Sequence, residues 1–238
     1  MVDLLESQAG ERILDVGCGT GELTFEISNH AAANGNNLIE AVGMDSDLNM
    51  VQQAQAQFPR QHFFQGDVRS FTVDEPFDAI FSNAALHWVA AEDSERSVIS
   101  MAKALKKGGR FVVEFGGKGN VQKIVEATLE VIPEASCPWY FPSISEYTTI
   151  LERHGIEVLQ ASLFDRPTPL EDGKEGVKNW LRMFGAAFFE GKANDEIEMA
   201  LDQIDQKLRD GNSSILTEDG SRWIADYRRI RIVGRKTT

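Results

Sequence analysis

Ile13-Leu14-Asp15-Val16-Gly17-Cys18-Gly19-Thr20-Gly21 is a short apolar run that breaks into three glycines at alternate positions. Arg12 to Val16 reads as a strand, and a helical pattern opens just after the glycines at Glu22-Leu23-Thr24-Phe25-Glu26-Ile27. Glycine tolerates positive φ and lets a ligand approach the backbone with no Cβ in the way. The helix that follows adds unpaired N–H groups and a partial positive charge. A turn of this kind is expected to receive a nucleotide-like ligand through an anionic group, phosphate or carboxylate.

Spacing separates two ligand classes. A dinucleotide fingerprint runs G-x-G-x-x-G, with an acid about 20 residues further on. Here the third glycine comes one position early, as Gly17-x-Gly19-x-Gly21, and Asp15 sits inside the end of the strand. A carboxylate there repels a pyrophosphate and suits an ammonium group. The ligand so described carries a cation beside a nucleoside and no phosphate. S-adenosylmethionine is a ligand of that kind.

Asp15 to Gly21 resembles the first motif of the class I S-adenosylmethionine-dependent methyltransferases, and the resemblance continues in order along the chain. A second strand, Leu38 to Met44, ends at Asp45, which resembles the family's ribose-hydroxyl acceptor. A third, His62 to Gln65, leads into Gly66-Asp67-Val68, where the family's acid and its neighbour's backbone meet the adenine amino edge. Phe77 to Trp88 resembles strand four and the loop beside the sulfonium, and Leu105 to Glu114 the glycine turn and fifth strand. The resemblance implies cofactor contacts at Asp15, Gly17, Cys18, Gly19, Asp45, Ser46, Met50, Asp67, Val68 and Asn83. The implied fold is α/β: a Rossmann-like, doubly wound, seven-stranded and mostly parallel sheet, with an antiparallel last strand and a helical lid insertion.

A narrower likeness rests on Ser82 to Trp88, Glu114 to Asn120, Trp139 to Ser143 and Asp226 to Arg231. Together these look like the trans-aconitate methyltransferase-like group, which is similar to the malonyl-carrier-protein methyltransferases. Those relatives convert a free carboxylate to a methyl ester. Roughly a dozen residues precede strand one, fewer than the family's usual N-terminal segment.

Strands alternate with helical patterns to about residue 132, as a doubly wound sheet requires. Ser46 or Asp47 caps one helix, and Ser94 to Leu105 forms another, ended by Gly108-Gly109. Further helices are expected at Val121 to Val131 and Ser145 to His154, then strand six at Ile156 to Leu163 and a last strand at Ile224 to Val233. The excursion between those strands is far longer than the two to five or so residues a hairpin needs. Residues 1–165 and 220–238 are therefore expected to form the cofactor-binding domain, and 166–219 a helical cap.

The 238 residues suit one α/β domain with a small subdomain. A net charge of −13 argues against nucleic acid, whose phosphates want a basic surface. There is no basic, apolar start of the secretory kind and no apolar stretch near the 18 or so residues a membrane span takes, so no membrane is expected, and a small-molecule substrate is what the resemblance implies. Two cysteines, Cys18 and Cys137, make neither a disulfide framework nor a zinc set, and the cytoplasm is the expected compartment. Nothing in the chain fixes an oligomeric state.

On the acceptor side, His87 is a substrate contact, a general base or a structural hydrogen-bond partner. Trp88 is core or pocket wall, and Tyr140, between Trp139 and Phe141, meets substrate or packs under a lid. Lys118 is a cation near the rim of the sheet. Arg229 and Arg231 share one face of the last strand and Arg228 takes the other. A carboxylate acceptor needs donors and no base, whereas an amine, hydroxyl or carbon acid needs a base.

Overall fold

The computed structural model describes residues 1–30, 39–211, 215–217 and 220–237. Leu38, expected to open the second strand, lies outside the described residues. Seven strands form one sheet: β1 (Arg12–Val16), β2 (Glu40–Asp45), β3 (His62–Gln65), β4 (Phe77–Asn83), β5 (Leu105–Gly116), β6 (Ile156–Asp165) and β9 (Arg228–Lys236). Their order is β3-β2-β1-β4-β5-β9-β6. The first five run parallel to one another, and the antiparallel strand comes near the C-terminus. The order reverses at β1 and β4, the switch point where open α/β sheets bind ligands beyond the strand ends.

Alternation along the strands sorts the core into two faces. Leu14, Val16, Ile80, Phe111 and Val113 are buried with Val98 and Met101 of α3 (Ser94–Ala104) and Tyr147 and Leu151 of α5 (Ile144–Arg153). On the other face, Ile13, Ala79, Phe81 and Val112 pack with Ile27 of α1 (Glu22–His30) and with Val2 and Leu5 of an N-terminal 3-10 turn. Asp15 shares its parity with Ile13, so the alternation turns its carboxyl toward α1. α2 (Leu48–Gln57), capped by the Asp47 side chain, closes a smaller cluster of Cys18, Val51, Ala54 and Phe63.

Two elements depart from expectation. α3 ends at Ala104 and β5 begins at once, so Gly108-Gly109 lies within the strand and does not end the helix. The ladder to β4 skips from Phe77↔Leu105 to Ala79↔Arg110, and the two glycines sit in the extra loop of that bulge. The expected last strand, Ile224 to Val233, is two pieces. β8 (Ile224–Ala225) pairs antiparallel with β7 (Thr168–Pro169) in a separate ribbon, and β9 starts at Arg228.

The chain divides into two compact units, 1–116 with 142–163 and 230–238, and 117–141 with 164–229. The second unit is wider than the expected 166–219: it takes in α4 (Gln122–Val131) and the Trp139 loop as well as α6 (Gly176–Phe184) and α7 (Asn194–Asp210). The reason is its core, where Val121, Ile124, Trp139, Trp180, Leu201 and Trp223 are buried together.

Candidate active site

The glycine loop leaves β1 and turns back over the end of β2. Most of its amides are already spent inside the protein. Gly17 and Cys18 N–H both donate to Met44 O, at 2.7 and 3.0 Å, and Gly21 N–H donates to Cys18 O at 3.0 Å. Gly19 N–H donates to Asp45 Oδ2 at 2.9 Å. The anion seat expected of a glycine turn is thus filled by the protein's own acceptors. Gly17 has φ +74°, and a Cβ there would lie 2.1 Å from the Ala85 Cβ. A Cβ built on Gly19 meets open space.

Two carboxylates define the electrostatics. Asp15 is 2% exposed, and Thr24 Oγ1 donates to its Oδ2 at 2.7 Å. Burial, and then the charge of Asp45, pushes its pKa from 3.8 to about 7, against the pull of the Thr24 hydrogen bond. Asp45 accepts one backbone N–H on each oxygen, Asp47 on Oδ1 and Gly19 on Oδ2, which leaves lone pairs for further donors. Sequence reasoning misses Thr24 as the partner of Asp15, though a helical step from Ile27 places it on the buried face of α1. Cys18 is buried among Val51, Ala54 and Phe63, and its thiol is pushed up by burial, so it fills space and is not ionised.

The loop after β4 is seated on the same corner. Asn83 ends the strand in register with Glu114. Ala84 follows in the left-handed region at φ 58°, a strained setting for alanine, with its N–H donating to Glu114 O at 2.7 Å. His87 is 8% exposed, and its Nδ1 accepts Gly116 N–H at 3.3 Å. That bond needs a bare Nδ1, so the neutral ring carries its proton on Nε2. Trp88 is 50% exposed, which removes it from the core.

Of the remaining expected residues, Ser46 O accepts Gln65 Nε2–H at 3.0 Å, and Met50 is half-buried in the first turn of α2. Asp67 and Val68 follow β3, where the Asp67 carboxylate is taken by Arg69. Asp15, Gly17, Cys18, Gly19, Asp45, Ser46, Met50, Asp67, Val68, Asn83, His87 and Trp88 all belong to the first unit. Lys118, exposed, and Tyr140, half-buried, belong to the second. Among the described residues no group of three or more His, Cys, Asp or Glu is placed to hold a metal ion, and no helix is long and apolar enough to cross a membrane.

A family model for a methyltransferase domain matches residues 13–109, the stretch that holds every one of the first-unit residues just named. An uncharacterized methyltransferase of Schizosaccharomyces pombe is 30% identical over 256 residues, covering 99% of this chain and 90% of that protein. The chain belongs to the class I S-adenosylmethionine-dependent methyltransferases. This methyltransferase is also similar to the trans-aconitate 2-methyltransferase of Rhizobium rhizogenes, 35% identical over 106 residues, but that match spans 44% of the chain and 38% of the relative. In structure it is similar to the YcgJ protein of Bacillus subtilis, with a TM-score of 0.68 at 20% identity, covering 100% of this chain and 97% of that one. That likeness establishes the architecture alone.

The cofactor of this methyltransferase is S-adenosylmethionine. The residues present fit it: two acids at the strand ends suit a cationic ligand with hydroxyls, and the spent loop amides leave little for a phosphate. The open space above Gly19 is room that a side chain would fill.

Proposed function

We propose that this methyltransferase esterifies a small-molecule carboxylate. The observation that carries the proposal is the hydrogen bond from Gly116 N–H to His87 Nδ1. It occupies the ring's basic lone pair and makes Nε2–H a donor. A donor suits an acceptor that is already ionised, as a carboxylate of pKa about 4 is at neutral pH. An amine or hydroxyl acceptor would need a base, and His87 in this tautomer does not supply one. The partial likeness to trans-aconitate methyltransferase agrees with this reading.

When bound, S-adenosylmethionine supplies an electrophilic methyl group on a sulfonium. We assign its cationic end to Asp15, its ribose hydroxyls to Asp45, and the space along Gly17, Cys18 and Gly19 to its chain. Ser46, Met50, Asp67, Val68 and Asn83 complete that set. His87 is assigned to the acceptor, with Trp88 of the same unit as a further acceptor-side residue. The chain's contribution to rate is alignment and exclusion of water. Free thiols at Cys18 and Cys137 agree with a reducing, cytoplasmic setting.

The test is incubation with methyl-labelled cofactor and a panel of di- and tricarboxylates. A base-labile labelled ester is expected from at least one of them. With that acceptor, His87→Ala should raise KM about tenfold and leave turnover within a few fold. A fall in turnover of about a hundredfold or more, the size that general-base catalysis contributes, would contradict the assignment.

A further inference from the structure

Thr24 stands at the third position of α1, is 0% exposed, and donates its hydroxyl hydrogen to Asp15 Oδ2 at 2.7 Å. Among the described residues no other donor meets either oxygen of that carboxyl. A threonine inside a helix has a local acceptor in the carbonyl four residues back. Thr128, Thr148 and Thr149 take it, donating to the carbonyls of Ile124, Ile144 and Ser145 at 2.7, 2.9 and 2.6 Å. For Thr24 the residue four back is Thr20, in the glycine loop before α1 begins. Its hydroxyl turns to the neighbouring strand instead. The bond therefore spans the glycine loop, from the end of β1 to the first turn of α1.

We propose that Thr24 is a positioning residue of the cofactor site, whose hydroxyl holds Asp15 Oδ2 so that Oδ1 meets the cofactor's cationic end as part of an ionised carboxylate. The proposal rests on the assignment of that cationic end to Asp15, and not on the identity of the methyl acceptor. The last torsion of an aspartate is broad, so a carboxyl with no partner has no fixed orientation. Buried and without a donor, it also takes up a proton. One hydroxyl bond acts on both. An ionised oxygen holds the hydroxyl hydrogen more strongly than a neutral one, so the Thr24 bond favours the charged form. It works against burial, the largest influence on Asp15, and against the charge of Asp45 at the end of β2. The Cys18 thiol of the glycine loop is pushed up by burial and stays neutral. Gly43 and Phe81, the strand partners of Asp15, carry no charge. The titratable side chains of α1 and of the N-terminal turn, Glu22, Glu26, His30 and Asp3, are exposed.

The experiment is calorimetric titration with S-adenosylhomocysteine across the range from pH 5 to 8.5, in buffers of different ionisation enthalpy. In the intact protein the affinity should level off above the Asp15 pKa of about 7. Thr24→Val keeps the shape and removes the hydroxyl. It should move the levelling point up by about one pH unit, the size of one hydrogen bond to a charged group. Its affinity should be about tenfold weaker at pH 6 and within about threefold of the intact protein at pH 8.5. At pH 7.5 it should release about three-quarters of a proton per bound ligand, where the intact protein releases about one-quarter. Thr24→Ala should move both readings the same way, and Thr24→Ser, which restores the hydroxyl, should return them to those of the intact protein. Protons are counted per bound ligand, so a partly unfolded variant still reports. A Thr24→Val profile that overlies the intact one, while Asp15→Asn weakens binding, would overturn the proposal and leave the cation seat standing. A Thr24→Ser profile displaced as far as that of Thr24→Val would overturn it too. If Asp15→Asn binds as tightly as the intact protein, the assignment of Asp15 fails and takes the proposal with it, so the two failures are distinguishable.

Discussion

Asp15 is kept buried at a cost, and the cost has a sign. Its folded pKa of about 7 lies above the ordinary value of 3.8, so between those values the folded state holds more protons than the unfolded chain. Stability of the ligand-free protein contributed by this group is present at low pH and is lost as pH rises from about 4 to 7. Asp15→Asn removes the buried charge and keeps an acceptor for Thr24. At pH 8 it should raise the ligand-free melting temperature by roughly 5 °C, and the fall in melting temperature between pH 5 and 8 should flatten. The same variant should bind S-adenosylhomocysteine about thirtyfold or more weakly, since a buried charge partner is gone. A variant that is destabilised at pH 8 would show that the ionised form is favoured instead. Gly17→Ala meets two obstacles, φ +74° and a Cβ 2.1 Å from Ala85. It should lose measurable cofactor binding together with several degrees of melting temperature.

At the scale of elements, the strands are legible because apolar runs end at acids and glycines: β1 and β3 stand where the sequence places them. Helix starts are legible from their caps. Ser143 accepts Glu146 N–H at 3.3 Å while Glu146 Oε2 accepts Ser143 N–H at 2.7 Å, a reciprocal capping box for α5. Ser143→Ala should lower stability by about 1 kcal/mol in a urea titration, with no change in cofactor affinity. A twofold or greater change in that affinity would show that α5 bears on the site. The end of α3 is not legible, because Gly108-Gly109 looks the same whether glycines stop a helix or fill a bulge. Only the strand pairing, a long-range property, distinguishes the two. The split of Ile224 to Val233 has the same cause, since β8 is recruited by β7 and β9 by the main sheet. In the site, the glycines and acids are legible from spacing, but their partners are not. Which amide meets Met44 O, and that Gly116 N–H meets His87 across 29 positions, follow from strand register rather than from local sequence.

At the scale of the whole molecule, two units carry separate cores, and the residues assigned to the cofactor all lie in the first. The tryptophans divide accordingly: Trp139, Trp180 and Trp223 are buried in the second unit, and Trp88 belongs to the first. Tryptophan fluorescence therefore reports chiefly on the second unit. Leu201→Ala, at a position with 0% exposure, should shift the fluorescence-detected urea transition by about 2–5 kcal/mol. S-adenosylhomocysteine affinity should stay within about threefold under native conditions. Loss of that affinity would show that the second unit's core supports the cofactor site.

On the proposed assignment the glycine loop is a seat for a cation held by two acids, with most of its amides already spent, and counting protons during binding tests this most directly. S-adenosylhomocysteine carries the same ammonium group and is titrated calorimetrically at pH 6 in two buffers of different ionisation enthalpy. With Asp15 protonated in the ligand-free protein and ionised in the complex, close to one proton should be released per ligand. The affinity should rise about tenfold from pH 5 to 6 and level off above the Asp15 pKa of about 7. Asp15→Asn should release none. Binding with no proton release at pH 6, or release unchanged in Asp15→Asn, would contradict a cation seat built on Asp15.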